Sequence, residues 1–332
     1  MDDELSVEQL LSKSRAHECP TLSTIWICGH GSDVIVTGDL DGNLLVWKWL
    51  DSERRLELSG ELPTHSLGVA SLNITPDRRY FVSFSLDCEI RIYDVLDNME
   101  CLNSSFKVPL ECWGVSISPD GKNVACGSKN GKVVLYAVDM ENPISTYESG
   151  GRFVLSSAFS IDGHSLAAGT QDGLIYIFDV ESGAMQHSLT GHAKAVRTME
   201  FSQDGALLFS GAEDKFLVTH DLREGSKTSF SVSGQNSWIT SVTAMPDARY
   251  VITSSTDALV RVWDFRNRKC SSRLTGRRSS VWDVCLNIAG DRLVSVDDDG
   301  RIMIHDTTNL CKPAPISASI TDVIDSTVHQ VS

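Results

Sequence analysis

The chain has 332 residues, 41% hydrophobic and 22% charged, with nine cysteines and a formal net charge of −15. That mixture suits a folded soluble protein, and the acidic balance without a basic stripe argues against direct nucleic-acid binding. No apolar run approaches the roughly 20 residues of a membrane span, MDDELSVEQLL lacks a signal-peptide layout, and an odd cysteine count without a C-x-x-C pair suits free thiols in a reducing compartment.

In chain order, Gln9 to Arg15 reads as a strand with no sheet of its own. Next comes VTGDLDGNLLVWKW, residues 36–49. Val36 and Thr37 are β-branched, Asp41-Gly42 is a tight-turn pair, and Leu44 to Trp47 is strand-like again. Variants return as SFSLDCEIRIYD, GTQDGLIYIFD and TSSTDALVRVWD. The turn residues are Asp41, Asp87, Asn130, Asp172, Asp214, Asp257 and Asp299, spaced by 46, 43, 42, 42, 43 and 42. A period this regular over seven units is the signature of a repeat architecture.

Other positions keep the register. Six residues after the turn residue stand planar rings: Trp47, Tyr93, Tyr136, Phe178, His220, Trp263 and His305. Four residues before it stand Thr37, Ser83, Cys126, Ala168, Ser210, Thr253 and Ser295. Upstream, ITPDRR, ISPDGK, SIDGHS, SQDGAL and MPDARY mark a second tight turn. Each unit therefore reads as four short strands. The last unit supplies only three, SVWDVCLN, DRLVSVD and GRIMIHD, and Gln9 to Arg15 is expected to supply the fourth.

The pattern resembles the WD-repeat family, on Gly191-His192 opening a unit and Trp263-Asp264 closing a strand. The resemblance implies an all-β, seven-bladed β-propeller, monomeric, with four-stranded blades around a channel. Residues 1–16 form the lead and latch strand, 17–307 the seven repeats, and 308–332 a mobile tail holding SITDVIDSTV. It also implies a hydrogen-bonded set in each blade. His17, Thr37, Asp41 and Trp47 fill it in the first; His65, Ser83 and Asp87 in the second; His192, Ser210 and Asp214 in the fifth; Thr253, Asp257 and Trp263, with Gln235 in the histidine slot, in the sixth. The third, fourth and seventh are degenerate. Recurrence with decaying fidelity marks these sets as structural. No catalytic residue, metal site, cofactor or enzymatic activity is assigned.

A partner is expected on the face carrying the loops into the innermost strands. There the register places Trp113, Phe153, Leu155, Arg197, Trp238 and Trp282, and Trp and Arg dominate interface hot spots. VWKW at 46–49, THSLGVASLNI at 64–74, SLDCEIRIYD at 85–94, GRFVLSSAFSIDG at 151–163 and SSVWDVCLN at 279–287 resemble the WD-repeat subunit shared by the superkiller (Ski) and Paf complexes. That resemblance implies a scaffold holding a helical-repeat subunit beside an RNA helicase. Its work would be 3′–5′ mRNA decay with the exosome in the cytoplasm, and transcription elongation and chromatin modification in the nucleus. A second reading rests on His220-Asp221-Leu222-Arg223 and Trp263-Asp264-Phe265-Arg266. They are similar to an element of substrate receptors for cullin ubiquitin ligases, where His220 departs from it.

Overall fold

A computed structural model describes residues 7–29, 32–97, 99–102, 106–107, 112–138, 143–223 and 227–311. Seven antiparallel sheets follow one another around a central channel, a seven-bladed β-propeller. Blade 1 is Thr21–Gly29, Ser32–Asp39, Leu44–Leu50 and Arg55–Leu62, from the channel outward. Blades 3 to 6 repeat this meander. In blade 2 the outermost position is split between Glu100–Cys101 and Phe106–Lys107.

The alternation along each strand explains the packing. In Tyr80–Ser85 and Asn123–Ser128 both faces are buried, because each second strand lies between two neighbouring blades. Their side chains are therefore small or apolar on both sides. The core is a series of inter-blade layers rather than one centre. One layer joins Ile27, Val36 and Leu44 to Val69, Phe81 and Tyr93 of the next blade; Tyr93 stacks on Phe81 at 4.6 Å.

The ring closes through the N-terminus. Glu8–Lys13 pairs antiparallel with Ile302–Asp306 and completes the sheet of blade 7. Leu10 and Leu11 pack against Trp47, Trp49 and Leu56 of blade 1, so the latch touches both sides of the seam. Outside, Arg292 of blade 7 donates to Asp51 of blade 1 at 2.8 and 3.2 Å. Inside, Asp283 accepts from Ser23 Oγ at 3.0 Å and Thr24 N at 2.8 Å.

At the other terminus the folded body runs further than residue 307. Thr308–Cys311 is a helical turn, and Leu310 is fully buried against Met245 and Tyr250. An apolar side chain with a ready cavity beside it does not stay in solvent. Residues 312–332, with SITDVIDSTV, lie outside the described residues. Among the described residues no helix is long and apolar enough to cross a membrane, and Cys19, Cys88, Cys101, Cys270, Cys285 and Cys311 are free thiols.

Candidate partner-binding face

The repeated polar sets brace the loops on one end of the ring. In blade 1, His17 Nδ1 lies 2.8 Å from a carboxylate and Nε2 lies 2.7 Å from Thr37 Oγ1. Trp47 Nε1 donates to the same Thr37 oxygen at 2.9 Å. A carboxylate can only accept, so in the neutral ring Nδ1 carries the proton and Nε2 accepts from Thr37. The carboxylate is Asp39, and Asp41 is exposed at the turn tip. This corrects the expectation for Asp41. Asp39 ends its strand buried, and it also accepts the backbone N–H groups of Asp41 (3.0 Å) and Asn43 (2.8 Å). Burial alone would raise its carboxyl, but hydrogen bonds from His17 and Asn43 outweigh that and hold it at about 2.

In blade 5, His192 reaches Ser210 Oγ at 2.9 Å and Asp214 at 3.0 Å. In blade 2, His65 Nε2 reaches Ser83 at 2.8 Å, while Nδ1 stands 3.6 Å from Asp87. His65, Asp87 and Glu89 bring ligand-type atoms within 4.8 Å of one another. However, Arg91 donates to both Glu89 oxygens, at 3.2 and 3.0 Å, and puts a positive charge where a cation would sit.

Blade 6 solves the same problem with different residues. Gln235 Nε2 donates to Thr253 Oγ1 at 2.6 Å, and Trp263 Nε1 donates to that oxygen at 2.8 Å. The amide oxygen of Gln235 and the Asp257 carboxylate are both acceptors and cannot bond each other. Arg261, 2% exposed, lies between them and donates to both, to Asp257 at 2.8 Å. In blade 7, Arg277 takes the histidine slot and donates to Ser295. Sequence reasoning missed both arginines. For Arg277 the signal was a charged residue in the slot that other units fill with histidine or Gln235; for Arg261 it was an arginine four residues after the turn aspartate, a position that blade 2 also fills with an arginine, Arg91.

These braces fix a mouth built from bulges. In all seven innermost strands the pairing with the second strand slips near its start, as between Val154 and Ser156 or Val196 and Thr198. The unpaired residues include Trp113, Leu155, Arg197 and Trp282, and the slip turns them toward the channel. The channel holds about 850 Å³, and Trp113, Leu155, Arg197, Trp238 and Trp282 line it. The Arg197 guanidinium sits between two indoles, 5.9 Å from the Trp113 ring and 5.6 Å from the Trp238 ring. Glu213 orients it at 2.5 Å. Trp113 and Trp238 remain 43% and 41% exposed. Trp282 is half-buried and donates to Asp298 at 2.9 Å.

Two expected contact residues are placed differently. Leu155 is 7% exposed and belongs to the channel wall. Phe153 is half-buried outside the lining. The structure adds Leu40, at 44% exposure, and Leu86, each just before its turn aspartate. That position lies beside the bulge because its N–H donates to the loop before the innermost strand, as from Leu40 to Pro20 and from Leu86 to Gly68.

The family described as WD domain, G-beta repeat matches at residues 56–94, 101–136, 226–264 and 268–306. The chain is a WD-repeat protein. Residues 146–204 match the WD40 domain of anaphase-promoting complex subunit 4. Among curated proteins, this WD-repeat protein is 34% identical over 141 residues to WD repeat-containing protein SL1-17 of Schistosoma mansoni, covering 41% of this chain and 46% of that one. It is 33% identical over 167 residues to WD repeat-containing protein VIP3 of Arabidopsis thaliana, covering 46% and 50%. With the meiotic recombination protein rec14 of Schizosaccharomyces pombe it shares 28% over 140 residues, covering 40% and 46%. The matches thus span about half the length of these relatives.

In this WD-repeat protein, two ring positions hold histidine instead of an aromatic residue. Burial, and then His192, pushes His220 down to about 4, and burial, and then Arg277, pushes His305 down to about 3. An unfolded histidine titrates near 6.5. Below that pH the unfolded chain takes protons that the folded ring refuses, so this contribution to stability falls as pH drops from about 6.5 toward 4. Burial pushes Glu200 and Asp283 up to about 7 and about 6, and their contributions run the opposite way. The informative quantity is therefore a difference. Urea unfolding of His220→Phe, relative to wild type, should show a gain about 2–3 kcal/mol larger at pH 4.5 than at pH 7. The same offset at both pH values would mean that His220 is not held neutral.

Proposed function

We propose that this WD-repeat protein is a non-enzymatic protein-interaction scaffold of the Ski and Paf type, working in cytoplasm and nucleus. Its top face would hold a helical-repeat subunit beside an RNA helicase in 3′–5′ mRNA decay with the exosome. In the nucleus it would serve Paf-complex transcription elongation and chromatin modification. The observation that carries the reading is the Trp113–Arg197–Trp238 array, two exposed indoles held about one guanidinium at the channel mouth. Such rigid aromatic and arginine groups are what interface hot spots are made of.

Binding of the reconstituted helical-repeat subunit tests it. Trp113→Ala and Trp238→Ala should each weaken binding by about 2 kcal/mol, roughly 30-fold. Arg197→Glu should weaken it further by placing an unpaired charge in a desolvated contact. The ubiquitin-ligase reading makes a different demand. Arg223, ion-paired to Asp221 at 2.8 Å, and Arg266 lie on the turns between third and fourth strands, away from this mouth. Full binding by the tryptophan variants, with a cullin adaptor captured by wild type and lost in Arg223→Ala/Arg266→Ala, would replace the scaffold reading.

A further inference from the structure

The opposite end of the ring carries the turns between first and second strands and between third and fourth strands. Around the channel exit, equivalent positions present Pro76, Pro119, Ile161, Gln203, Pro246 and Ile288. Ile161 is 40% exposed. A groove of about 330 Å³ runs between blades 4 and 5, lined by Ile177, Ala206 and Leu222 and by Gln186, His187 and Arg223. Asp204 lies on its lip. Ile177 and Ala206 are themselves buried, and Leu222 is half-buried against the same core, so the groove opens chiefly over Leu222.

The charge of this sector is one-sided. Its turns hold Asp120, Asp162, Asp179, Glu181, Asp204 and Asp221 against Lys122 and Arg223. Asp162 accepts from Ser160 at 2.5 Å and Asp204 from Ser202 at 2.5 Å. Those bonds, foremost, hold both carboxyls below the ordinary range, so both are ionised at neutral pH. Each uses one oxygen, Oδ1, to brace its own turn and to accept a backbone N–H two residues on. Both residues are exposed.

We propose that this end of the ring is a second docking surface, for a basic partner segment. An aliphatic side chain of that segment seats against Ile161 and the groove, and flanking lysines or arginines face Asp162 and Asp204. Charge complementarity selects this occupant. The chain's own residues 312–332 follow Cys311 on the same end of the ring, where its Sγ lies 3.7 Å from the Ala289 carbonyl of blade 7. Yet they carry Asp322 and Asp325 against a single Lys312, the wrong sign for the site. A WD-repeat ring with partners at both mouths can bridge two proteins along its axis.

The probe is a random-peptide phage library selected on the full-length chain at physiological salt. Selected peptides should pair an aliphatic residue with flanking Lys or Arg. Synthetic copies should lose roughly tenfold or more in affinity for Ile161→Ser/Asp162→Asn/Asp204→Asn. Asparagine keeps the turn-bracing oxygen, and an unchanged melting temperature would show that the fold is intact. Asp41→Asn/Asp299→Asn, an exposed pair removed at the other mouth, should leave binding intact and so exclude general attraction to an acidic protein. Trp113→Ala/Trp238→Ala should also leave it intact, which keeps this test separate from that of the top face. The proposal is overturned by peptides of another character, or by basic peptides that bind the triple variant normally. It is also overturned if deletion of 312–332 raises peptide affinity, because the tail would then be the occupant.

Discussion

Removal of residues 1–16 should cost on the order of 5 kcal/mol and drive the protein to aggregate. Five ladder pairs join Glu8–Lys13 to Ile302–Asp306. Net hydrogen bonds contribute about 0.5–1.5 kcal/mol each, and a buried Leu side chain about 1.5–3 kcal/mol. Leu10 and Leu11 are only partly buried, so the lower figures apply. Lys13 adds a bond to the Leu56 carbonyl at 3.0 Å and lies 4.5 Å from the Trp47 ring. The exposed Arg54–Glu8 pair adds little. The sum approaches the whole stability of an ordinary domain, about 5–15 kcal/mol. The damage is also directional. Without the latch, Ile302–Asp306 is an edge strand with free N–H and C=O groups and with Met303 and Ile304 uncovered, which invites pairing with another copy. Arg292–Asp51 survives the truncation, but a partly exposed ion pair does not replace a strand. Differential scanning calorimetry should show a fall of about 10–20 °C. A synthetic peptide of residues 1–16 added in trans should restore part of it. A truncated protein that stays monomeric and melts with the intact chain would remove the latch from the account.

What the sequence made legible is what recurs. Turn residues 42–46 apart and the ring-bearing strand appear seven times, and a second tight turn five times, so seven sheets could be counted before any coordinates. The odd strand at the N-terminus and the three-stranded last unit pointed at each other for the same reason. What did not recur was harder to read. Asp39 and Asp297 stand two residues before the turn residue, where four other units keep the hydroxyls Ser85, Ser128, Thr170 and Ser255. A hydroxyl there caps the turn locally, as Thr170 does with Asp172 at 2.6 Å. A carboxylate in that place is longer and charged, and in blade 1 it reaches His17. Arg261 and Arg277 are substitutions of the same kind, each making sense only beside the group it contacts. The mouth was legible as a set of positions, because strand register is periodic. Which side chains stay open depends on the bulge and on the loop from the neighbouring strand, so Leu155 is buried and Leu40 is not.

The largest single-residue loss should come from Asp39, and Asp41 should matter little. Asp39→Ala leaves His17 Nδ1, the N–H groups of Asp41 and Asn43, and the Asn43 amide without their acceptor. His17 is 3% exposed, so water cannot fully take its place. An orphaned buried polar group costs about 1–3 kcal/mol, and the partly exposed turn groups cost less. The expected total is roughly 3–5 kcal/mol. Asp87→Ala removes the acceptor of Ser66 N at 2.8 Å and Glu89 N at 2.9 Å, but its contact with His65 is the longer one at 3.6 Å. About 1–2 kcal/mol is expected there. Asp41 is exposed, and its truncation should fall within about 0.5 kcal/mol of wild type. The carboxyl of Asp39 is held at about 2, below its unfolded value. Its contribution is thus complete above the unfolded pKa and lost only as pH falls through about 2. Urea unfolding of the three variants at pH 7 ranks them directly. If Asp41→Ala costs as much as Asp39→Ala, the turn tip rather than the strand end anchors His17.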